Sequence, residues 1–409
     1  MRTIEKNFKQ QFPGRRNFVL SAVAAALGGV TLRTPSKAAT VGPNVGQKDD
    51  TGSLQAMLNK GGRITLESGR KYRVSAQAGS RSALFIGSDT FLDLAGSTLE
   101  LTPGQYCSLI AVTGSGRVKN VGIAGGVLIG NGTMLPSEFR SAIGITPTLY
   151  LSNCDSLQLR DLVIRDAYMY AAYCSGDDGV VDNIKVNGSV GGGIHLTGAG
   201  WRVDRVQVRN ITFFEIVNCQ GNPFTVSLRD STVGSVHCEN YGFGVKFQDG
   251  CKNVTVDSIV AIGGPNNYVN PDFLVKIQGI RDSPVQHMNQ DIRIRSIVAK
   301  NGPRSGLYIF YSDRVNIASY KGQSNGRSRP TDAKNGADVL IIAAERVSFG
   351  QLHVKDFIQF GLWIHEGTGM VTAESVELEG GEGGDVAPII LRGGQTAFGK
   401  TLLQRAKKT

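Results

Sequence analysis

Four basic side chains in the middle of the chain have the types and spacing of groups that act on an anion. His195, Arg229, Lys246 and Lys276 each follow an apolar residue in a short alternating segment. Each is therefore predicted to point away from the apolar face of a β-strand. Ammonium and guanidinium groups can neutralise a carboxylate, and a lysine beside another cation has a lowered pKa that suits it to act as a base. The segments predict a site for an acidic substrate.

One reaction that such groups could support is β-elimination on a uronic acid polymer. It needs a cation for the carboxylate, a base for the proton on the adjacent carbon and a donor to the leaving oxygen. Arg229 or Lys246 could neutralise the carboxylate, and Lys276 could serve as the base. His195 or Tyr173 could be the acid. Epimerisation would share the proton abstraction, and glycan binding or polysaccharide assembly without catalysis is the second hypothesis.

Two adjacent carboxylates offer the alternative of hydrolysis. Cleavage of a glycosidic bond by hydrolysis usually uses two carboxyl groups, one as acid and one as base or nucleophile. Asp177 and Asp178 follow a predicted strand and could supply that pair. Aspartate is also favoured in turns, where Asp177 and Asp178 would have a structural role instead.

The elements that must position these groups are short strands that recur along the chain. An apolar-x-apolar strand is followed about six residues later by a second such strand, and this unit repeats, which is typical of a solenoid whose copies bury one another's apolar faces. Twelve first strands are predicted, near residues 84, 109, 149, 172, 194, 226, 245, 274, 307, 339, 362 and 388. Four insertions, near 130–147, 211–224, 262–273 and 319–337, are predicted to wall one side of the face that these strands form.

The outward positions of the first strands form a predicted strip that is aromatic at both ends and basic in the middle. On this alignment Arg229, Lys246 and Lys276 occupy three consecutive rungs, with His195 one rung earlier. Like charges stacked at that spacing repel one another, and a polyanion along the strip would remove the repulsion. Aromatic rings and side-chain amides supply the predicted substrate contacts, which are Tyr150, Gln248, Gln278, Tyr308, Phe310, Trp363 and His365.

A capping helix is predicted before the first rung, where Asp50-Thr51 precede Leu54, Met57 and Leu58 on one helical face. This opening resembles that of pectin-lyase-like right-handed parallel β-helix proteins, a family that includes pectate lyases and polygalacturonases. The residues that carry the resemblance are Asp49-Asp50-Thr51, Leu54-Gln55, Leu58, Gly61-Gly62, Ile64-Thr65-Leu66, Gly69 and Tyr72. The resemblance implies an all-β, right-handed parallel β-helix of about 10–12 rungs with an N-terminal capping helix.

The resemblance also implies that the chain acts on polysaccharide, but it leaves the reaction open. Gly176-Asp177-Asp178 resembles the Asp-Asp motif of polygalacturonases, although other motifs of that group are missing. Pectate lyases of the family use Ca²⁺ held by acidic clusters, and Asp249 and Asp272 are the nearest candidates for such a site. No cluster of three carboxylates is visible in the sequence. No cofactor is therefore expected, with Ca²⁺ as the alternative.

The N-terminal segment has the pattern of an export signal. Arg15 and Arg16 precede an apolar, alanine-rich stretch, and small residues follow near Ala38, which resembles a twin-arginine signal peptide at residues 1–38. A linker at 39–48, a single β-helix domain at 49–400 and a basic tail at 401–409 complete the predicted organisation. The twin-arginine translocation machinery is then a partner during export, and the predicted location is the periplasm or the extracellular space.

Composition limits which classes of binding partner are expected. Removing residues 1–38 takes seven of the 44 basic and one of the 34 acidic residues, so the net charge falls from +10 to about +4. Nucleic-acid binding then loses its compositional support, whereas an acidic polysaccharide needs only a local basic surface. No apolar run is long enough for a membrane anchor. Six cysteines without metal-ligand spacing predict buried thiols, and the chain is expected to be a monomer.

Overall fold

The computed structural model describes residues 49–114, 116–132, 146–211, 224–241, 244–264, 273–281, 287–326, 336–380 and 387–405. The predicted signal peptide, the linker, most of the four insertions, Asp272 and residues 406–409 lie outside this part of the chain.

Within the described residues, one helix precedes the solenoid, as predicted. Helix α1 (Thr51–Leu58) buries Leu54 and Leu58 against the first rungs. Its N-terminus is capped by the Asp49 carboxylate, which accepts a hydrogen bond from the Thr51 amide at 2.8 Å. The Asp50 side chain is instead buried and accepts from the Arg73 amide at 3.1 Å. The helix therefore covers the apolar end that an open rung would expose.

Twelve strands stack in parallel to form the first sheet, at the positions that the sequence predicts. They are β3 (Ser82–Ile86), β6 (Ser108–Val112), β9 (Leu149–Leu151), β12 (Tyr170–Ser175), β14 (Gly192–Ala199), the first part of β16 (Phe224–Glu239), β17 (Val245–Gln248), β19 (Val275–Gln278), β21 (Leu307–Phe310), β23 (Ala337–Ile342), β25 (Phe360–Ile364) and β27 (Ala387–Leu391).

The other strands complete each rung and also pair in parallel with the rungs before and after. They are β1 (Gly62–Thr65), β2 (Lys71–Val74), β4 (Thr90–Asp93), β5 (Thr98–Leu101), β7 (Val118–Lys119), β8 (Val121–Ile129), β10 (Cys154–Asp155), β11 (Gln158–Ala167), β13 (Val180–Ser189), β15 (Arg202–Ile211), β18 (Lys252–Ile262), β20 (Asn289–Lys300), β22 (Ser312–Gln323), β24 (Arg346–Phe357), β26 (Met370–Gly380) and β28 (Gln395–Arg405). The fold is an all-β parallel β-helix, which confirms the predicted fold class.

Bends within the rungs place asparagine and aspartate in the left-handed backbone region, which these two residues tolerate better than most. Asn120 and Asn253 have φ of 55° and 52°. Their side-chain amides donate to the carboxylates of Asp89 and Asp230 on the preceding rung, at 2.7 and 2.9 Å. The Asn316 amide likewise donates to a serine hydroxyl on the following rung. The three asparagines therefore link neighbouring rungs.

The inward positions of successive rungs form one continuous apolar core. Alternate residues along each strand are buried, as in β13 and β20. The five cysteines in the described part are free and buried among them, and burial raises the pKa of the Cys251 thiol to about 12. Buried thiols were predicted, and Cys219 lies outside the described residues.

Two boundaries differ from the prediction. Strand β22 continues to Gln323, so the first residues of the insertion predicted at 319–337 belong to a strand. Strand β28 continues to Arg405, five residues into the predicted tail. Within the described residues, the single helix is too short to cross a lipid bilayer.

Candidate functional site

The outward face of the first sheet carries most of the predicted site. Strand pairing places Tyr150, Tyr173 and His195 on adjacent rungs, because Tyr173 is in register with both of the others. Lys246 and Lys276 are in register with each other further along the same face. Neighbouring strands lie about 4.8 Å apart, so each of these groups forms a continuous row.

Arg229 lies two residues further from this row than the prediction places it, which was in line with Gln248 and Gln278. The residue between His195 and Lys246 is Thr225, which is in register with both. Arg229 pairs instead with Lys252, about 13 Å further along the strand at the start of the following turn. A shift of two residues keeps a side chain on the outward face, so alternation alone could not detect this error. Arg229, Lys246 and Lys276 therefore lie on three consecutive rungs, as predicted, but Arg229 is not beside the two lysines.

Three outward rings form an aromatic ladder, which we define as Tyr150, Tyr173 and His195. The centroids of the two tyrosine rings are 5.8 Å apart, and Tyr173 stacks on the His195 imidazole at 4.7 Å with an angle of 20°. Tyr170 packs edge-on against the imidazole at 5.9 Å. The Tyr150 side chain is 38% exposed, so the ladder presents a ring to solvent at one end.

The environment of the ladder keeps both of its inner groups uncharged at neutral pH. Burial, followed by the nearby Lys246 ammonium, lowers the pKa of His195 to about 4. His195 Nε2 lies 3.1 Å from Thr197 Oγ1, within hydrogen-bonding distance. Burial also raises the pKa of the Tyr173 phenol, and the nearby Tyr150 contributes to the same rise. His195 is therefore a neutral imidazole and Tyr173 a hydroxyl donor.

The two lysines of the row differ in accessibility. Lys246 is half-buried, whereas the Lys276 side chain is only 4% exposed. Lys276 Nζ lies 5.4 Å from the centroid of the Phe273 ring and 5.7 Å from that of Tyr308, a cation–π arrangement. Of the two predicted lysines, Lys246 is the one that a ligand on this face can reach.

Beyond Lys276 the outward face is apolar and closed. Phe273 stacks on Tyr308 at 4.3 Å, and these rings join Leu340 and Trp363 in a buried cluster outside the main core. Trp363 is 2% exposed. The predicted contacts Tyr308 and Trp363 are therefore packed side chains in this structure. Phe310 lies at the margin of the cluster.

The remaining predicted contacts are polar and lie at the edges of the face. Gln248 and Gln278 are in register with each other, two residues beyond the lysines along their strands. The Gln278 Oε1 atom is buried without a hydrogen-bond partner among the described residues. His365 lies 6.4 Å from the Trp363 ring and is near the far end of the strip. Gln248 thus adjoins Lys246, whereas His365 is remote from it.

The two candidate carboxylates for hydrolysis are held in a turn. Asp177 Oδ2 accepts a hydrogen bond from Arg117 Nη2 at 2.8 Å, and Asp177 Oδ1 accepts from the Ala199 amide at 2.9 Å. Arg117 also binds Asp155 on the preceding rung, and this hydrogen bond lowers the pKa of the Asp155 carboxyl. Asp178 is exposed with φ of 59°, at the turn that follows β12. These contacts support the structural role over the catalytic one.

The described residues do not fit a calcium site of the kind that the family resemblance suggests. No group of three or more His, Cys, Asp or Glu side chains within them could hold a metal ion. Asp249 lies in the turn after β17, and Asp272 is outside the described part.

A buried carboxyl group that the sequence reasoning missed lies at the start of β23. Asp338 is fully buried; its Oδ1 accepts a hydrogen bond from the Tyr320 hydroxyl, and its Oδ2 accepts from Asn325 Nδ2 at 2.7 Å. A Cβ atom at Gly322 would lie 2.3 Å from Asp338 Oδ1, so the group is tightly enclosed. Burial raises the pKa of Asp338 to about 7, although both hydrogen bonds act to lower it. The Asp338 carboxyl is remote from solvent and cannot touch a ligand.

Comparison with known proteins supports the fold and leaves the activity open. No protein-family model and no curated protein sequence matches this chain. Among solved structures, a double mutant of the tailspike protein of E. coli bacteriophage HK620, in complex with a pentasaccharide, aligns with a TM-score of 0.58 and 13% identity. That alignment covers 84% of this chain and 64% of the tailspike chain, so the chain spans less than two thirds of that neighbour.

Two further structures are similar at the same level. A single mutant of the same tailspike, again with a pentasaccharide, aligns with a TM-score of 0.54 and 13% identity over 89% of this chain and 75% of its own. The Streptococcus pneumoniae surface protein and adhesin PfbA aligns with a TM-score of 0.50 and 11% identity over 90% of this chain and 98% of its own. At identities of 11–13%, these alignments show a shared fold and nothing about activity.

Proposed function

We propose that this chain binds an acidic polysaccharide along the outward face of its first sheet. The observation that carries the proposal is the aromatic ladder followed, two rungs later, by the Lys246 ammonium. Aromatic rings provide flat apolar surfaces for sugar rings, and an ammonium attracts a carboxylate. The tailspike neighbour was crystallised with a pentasaccharide, which agrees with glycan binding on this fold.

We further propose that the bound polymer is cleaved by β-elimination. Lys246 neutralises the uronate carboxylate, and the imidazole of His195 takes the C5 proton. The electrons of that C–H bond form the C4–C5 double bond, the C4–O bond breaks, and the Tyr173 phenol protonates the departing oxygen. A carboxylate held nearby raises the pKa of His195 and so strengthens it as a base. Lys276, the base suggested by sequence, would act only if the rings above it moved.

Binding without cleavage is the second candidate, and one observation favours it. The low pKa of His195 makes the free imidazole a weak base. The Asp177 carboxylate, which hydrolysis would need, already accepts two hydrogen bonds. A surface with no strong base would hold a glycan without reacting.

The test uses the chain without residues 1–38, incubated with polygalacturonate, alginate and hyaluronan. Elimination predicts growth of the ultraviolet absorbance of unsaturated uronates, abolished in His195→Gln and Tyr173→Phe. Glycan retention in affinity electrophoresis with no such absorbance would support binding alone. New reducing ends without the absorbance would refute elimination and return attention to Asp177 and Asp178. Failure to retain any acidic glycan would refute the proposed binding.

We also propose that residues 1–38 direct export through the twin-arginine pathway. Support comes from the paired arginines before the apolar stretch. A reporter protein fused behind this segment should reach the bacterial periplasm. Replacing both Arg15 and Arg16 by lysine should retain it in the cytoplasm, and unchanged export of that variant would refute this pathway.

A further inference from the structure

We infer that two copies of this chain bind each other through their final rungs, end to end, about a two-fold axis. The final rung is defined as β27 and β28, the last strands of the described residues. The inference replaces the monomer expected from the sequence. It concerns a different surface from the outward face of the first sheet, so it does not depend on the proposed glycan binding.

Exposed apolar side chains are concentrated at this end of the solenoid. Five large apolar residues in the described part of the chain are exposed. Tyr150 of the ladder is one, and the other four lie on the last two rungs and are 41–51% exposed: Met370, Leu391, Leu402 and Leu403. Single exposed apolar residues are ordinary on a protein surface, but a group of them in one place marks an interaction surface.

Two of these residues continue the inward rows of the core. Leu391 is in register with Ile364, and Leu403 is in register with Leu378. Both of those partners are fully buried. The final rung therefore has apolar residues at the inward positions, but no further rung covers them among the described residues. At the opposite end, helix α1 provides such a cover.

The backbone of the final rung is also open on one side. Within the described residues, β27 pairs only with β25, and β28 pairs only with β26. The second edge of β28, which is 11 residues long, leaves a row of N–H and C=O groups free for another strand. A long edge strand with apolar side chains pairs with another chain unless it is covered.

The inward pattern of β28 is complementary to itself, which identifies a second copy as the partner. The inward residues, read from their buried partners on β26, are Thr396 and Phe398 before Gly399–Lys400, and Thr401 and Leu403 after it. Antiparallel pairing about Gly399–Lys400 places Thr396 opposite Leu403 of the second copy and Phe398 opposite its Thr401. Inward positions then meet inward positions, and the contact is the same for both copies, as two-fold symmetry requires. The N-terminal end of a second copy, under α1, offers no such edge.

The charges on the last two rungs permit this contact. The acidic residues there are Glu366, Glu374, Glu377 and Glu379, and the basic ones are Arg392, Lys400 and Arg405, so the charges nearly balance. The pairing places Lys400 opposite Gly399 of the second copy, which has no side chain. Glu374 lies directly behind Gly399 on the preceding rung, since a Cβ atom at Gly399 would be 2.3 Å from the Glu374 carbonyl oxygen. Each Lys400 is therefore directed towards an exposed Glu374 of the other copy.

The first experiment is sedimentation equilibrium of the chain without residues 1–38, at concentrations from about 1 to 100 µM. We expect a reversible species with twice the mass of the chain. Leu403→Glu and Leu391→Glu should each weaken its formation at least about tenfold, because the contact would bury a carboxylate from both copies. Tyr150→Glu is the matched control, since it places an acid at the exposed apolar residue that is remote from this end, and it should leave the dimer intact. Circular dichroism of each variant checks that it is folded.

The second experiment tests the pairing itself by cross-linking. In the proposed register the two Lys400 Cα atoms are about 6 Å apart at the usual strand spacing, within the range that a disulfide spans. Lys400→Cys should therefore form a disulfide-linked dimer under mild oxidation. Lys355→Cys, at an exposed lysine on β24, is the control and should remain a single chain.

Three results would overturn the inference. A single chain at every concentration would show that the final rung does not bind a second copy. A dimer that Leu391→Glu and Leu403→Glu leave unchanged would place the interface elsewhere. Assemblies that grow beyond two copies would contradict a closed two-fold contact. None of these results bears on glycan binding, which is measured separately.

Discussion

The buried Asp338 carboxyl should make the stability of the whole solenoid depend on pH. Burial raises its pKa from 3.8 to about 7 in the folded protein, although the hydrogen bonds from Tyr320 and Asn325 act to lower it. About three pKa units at 1.36 kcal/mol each correspond to about 4 kcal/mol. The folded state binds the proton more tightly than the unfolded state does. The contribution is therefore complete below pH 3.8, declines as pH rises and is lost above about pH 7.

Asp338→Asn is the variant that tests this reasoning. The amide has the size of the carboxyl group, and it can donate to the Tyr320 oxygen while accepting from Asn325. Urea unfolding followed by circular dichroism gives the free energy of unfolding at pH 4 and pH 8. Between these conditions the wild-type value should fall by about 4 kcal/mol more than that of Asp338→Asn, because only the carboxyl group titrates.

Two controls separate the buried acid from general effects of pH. Asp178→Asn changes an exposed aspartate and should retain the wild-type pH dependence. Tyr320→Phe removes a hydrogen bond that lowers the pKa of Asp338, so the loss of stability should extend to higher pH. An identical difference between the two pH values in wild type and Asp338→Asn would refute the assignment.

Three further predictions concern packing, the ladder and the turn. Gly179→Ala should lower the free energy of unfolding by about 1–3 kcal/mol in urea titrations, because the new Cβ would lie 2.4 Å from the buried Trp201 ring. A variant as stable as the wild type would contradict this close packing of Gly179 against Trp201. Tyr173→Leu should reduce glycan affinity three- to tenfold, or by about 1 kcal/mol, in calorimetry, because it interrupts ring stacking. The melting temperature should be nearly unchanged. Unaltered affinity would exclude the ladder from the binding site. Arg117→Met should lower the melting temperature slightly, and by less at high salt, since the ion pairs of Arg117 with Asp155 and Asp177 are partly exposed. A loss that does not depend on salt would contradict an ionic origin.

The repeating parts of this structure could be predicted because their causes are local. Alternation of apolar residues marks each strand, and a strand that is apolar on one face must stack on another copy. The twelve first strands and helix α1 follow from those rules.

The site was harder to predict because register and coverage depend on distant residues. Arg229 was placed two residues too close to the row of His195 and Lys246, since Phe224 and Val226 alternate as regularly as the residues that follow them. The burial of Trp363 depends on what packs outside the sheet, which alternation does not report. Asp338 meets Tyr320 and other partners only after separate stretches of chain come together.

Because Thr225 separates the ladder from the lysine by one full rung, the distance between them is a modular property of the chain. Each rung of a solenoid contacts only its neighbours, so a whole rung can be removed while the interfaces on either side are rebuilt from equivalent surfaces. Deleting residues 224–244 would bring Lys246 one rung nearer to His195. The distance between the ladder and the lysine could then be reset by altering the number of rungs, with the ladder and Lys246 retained.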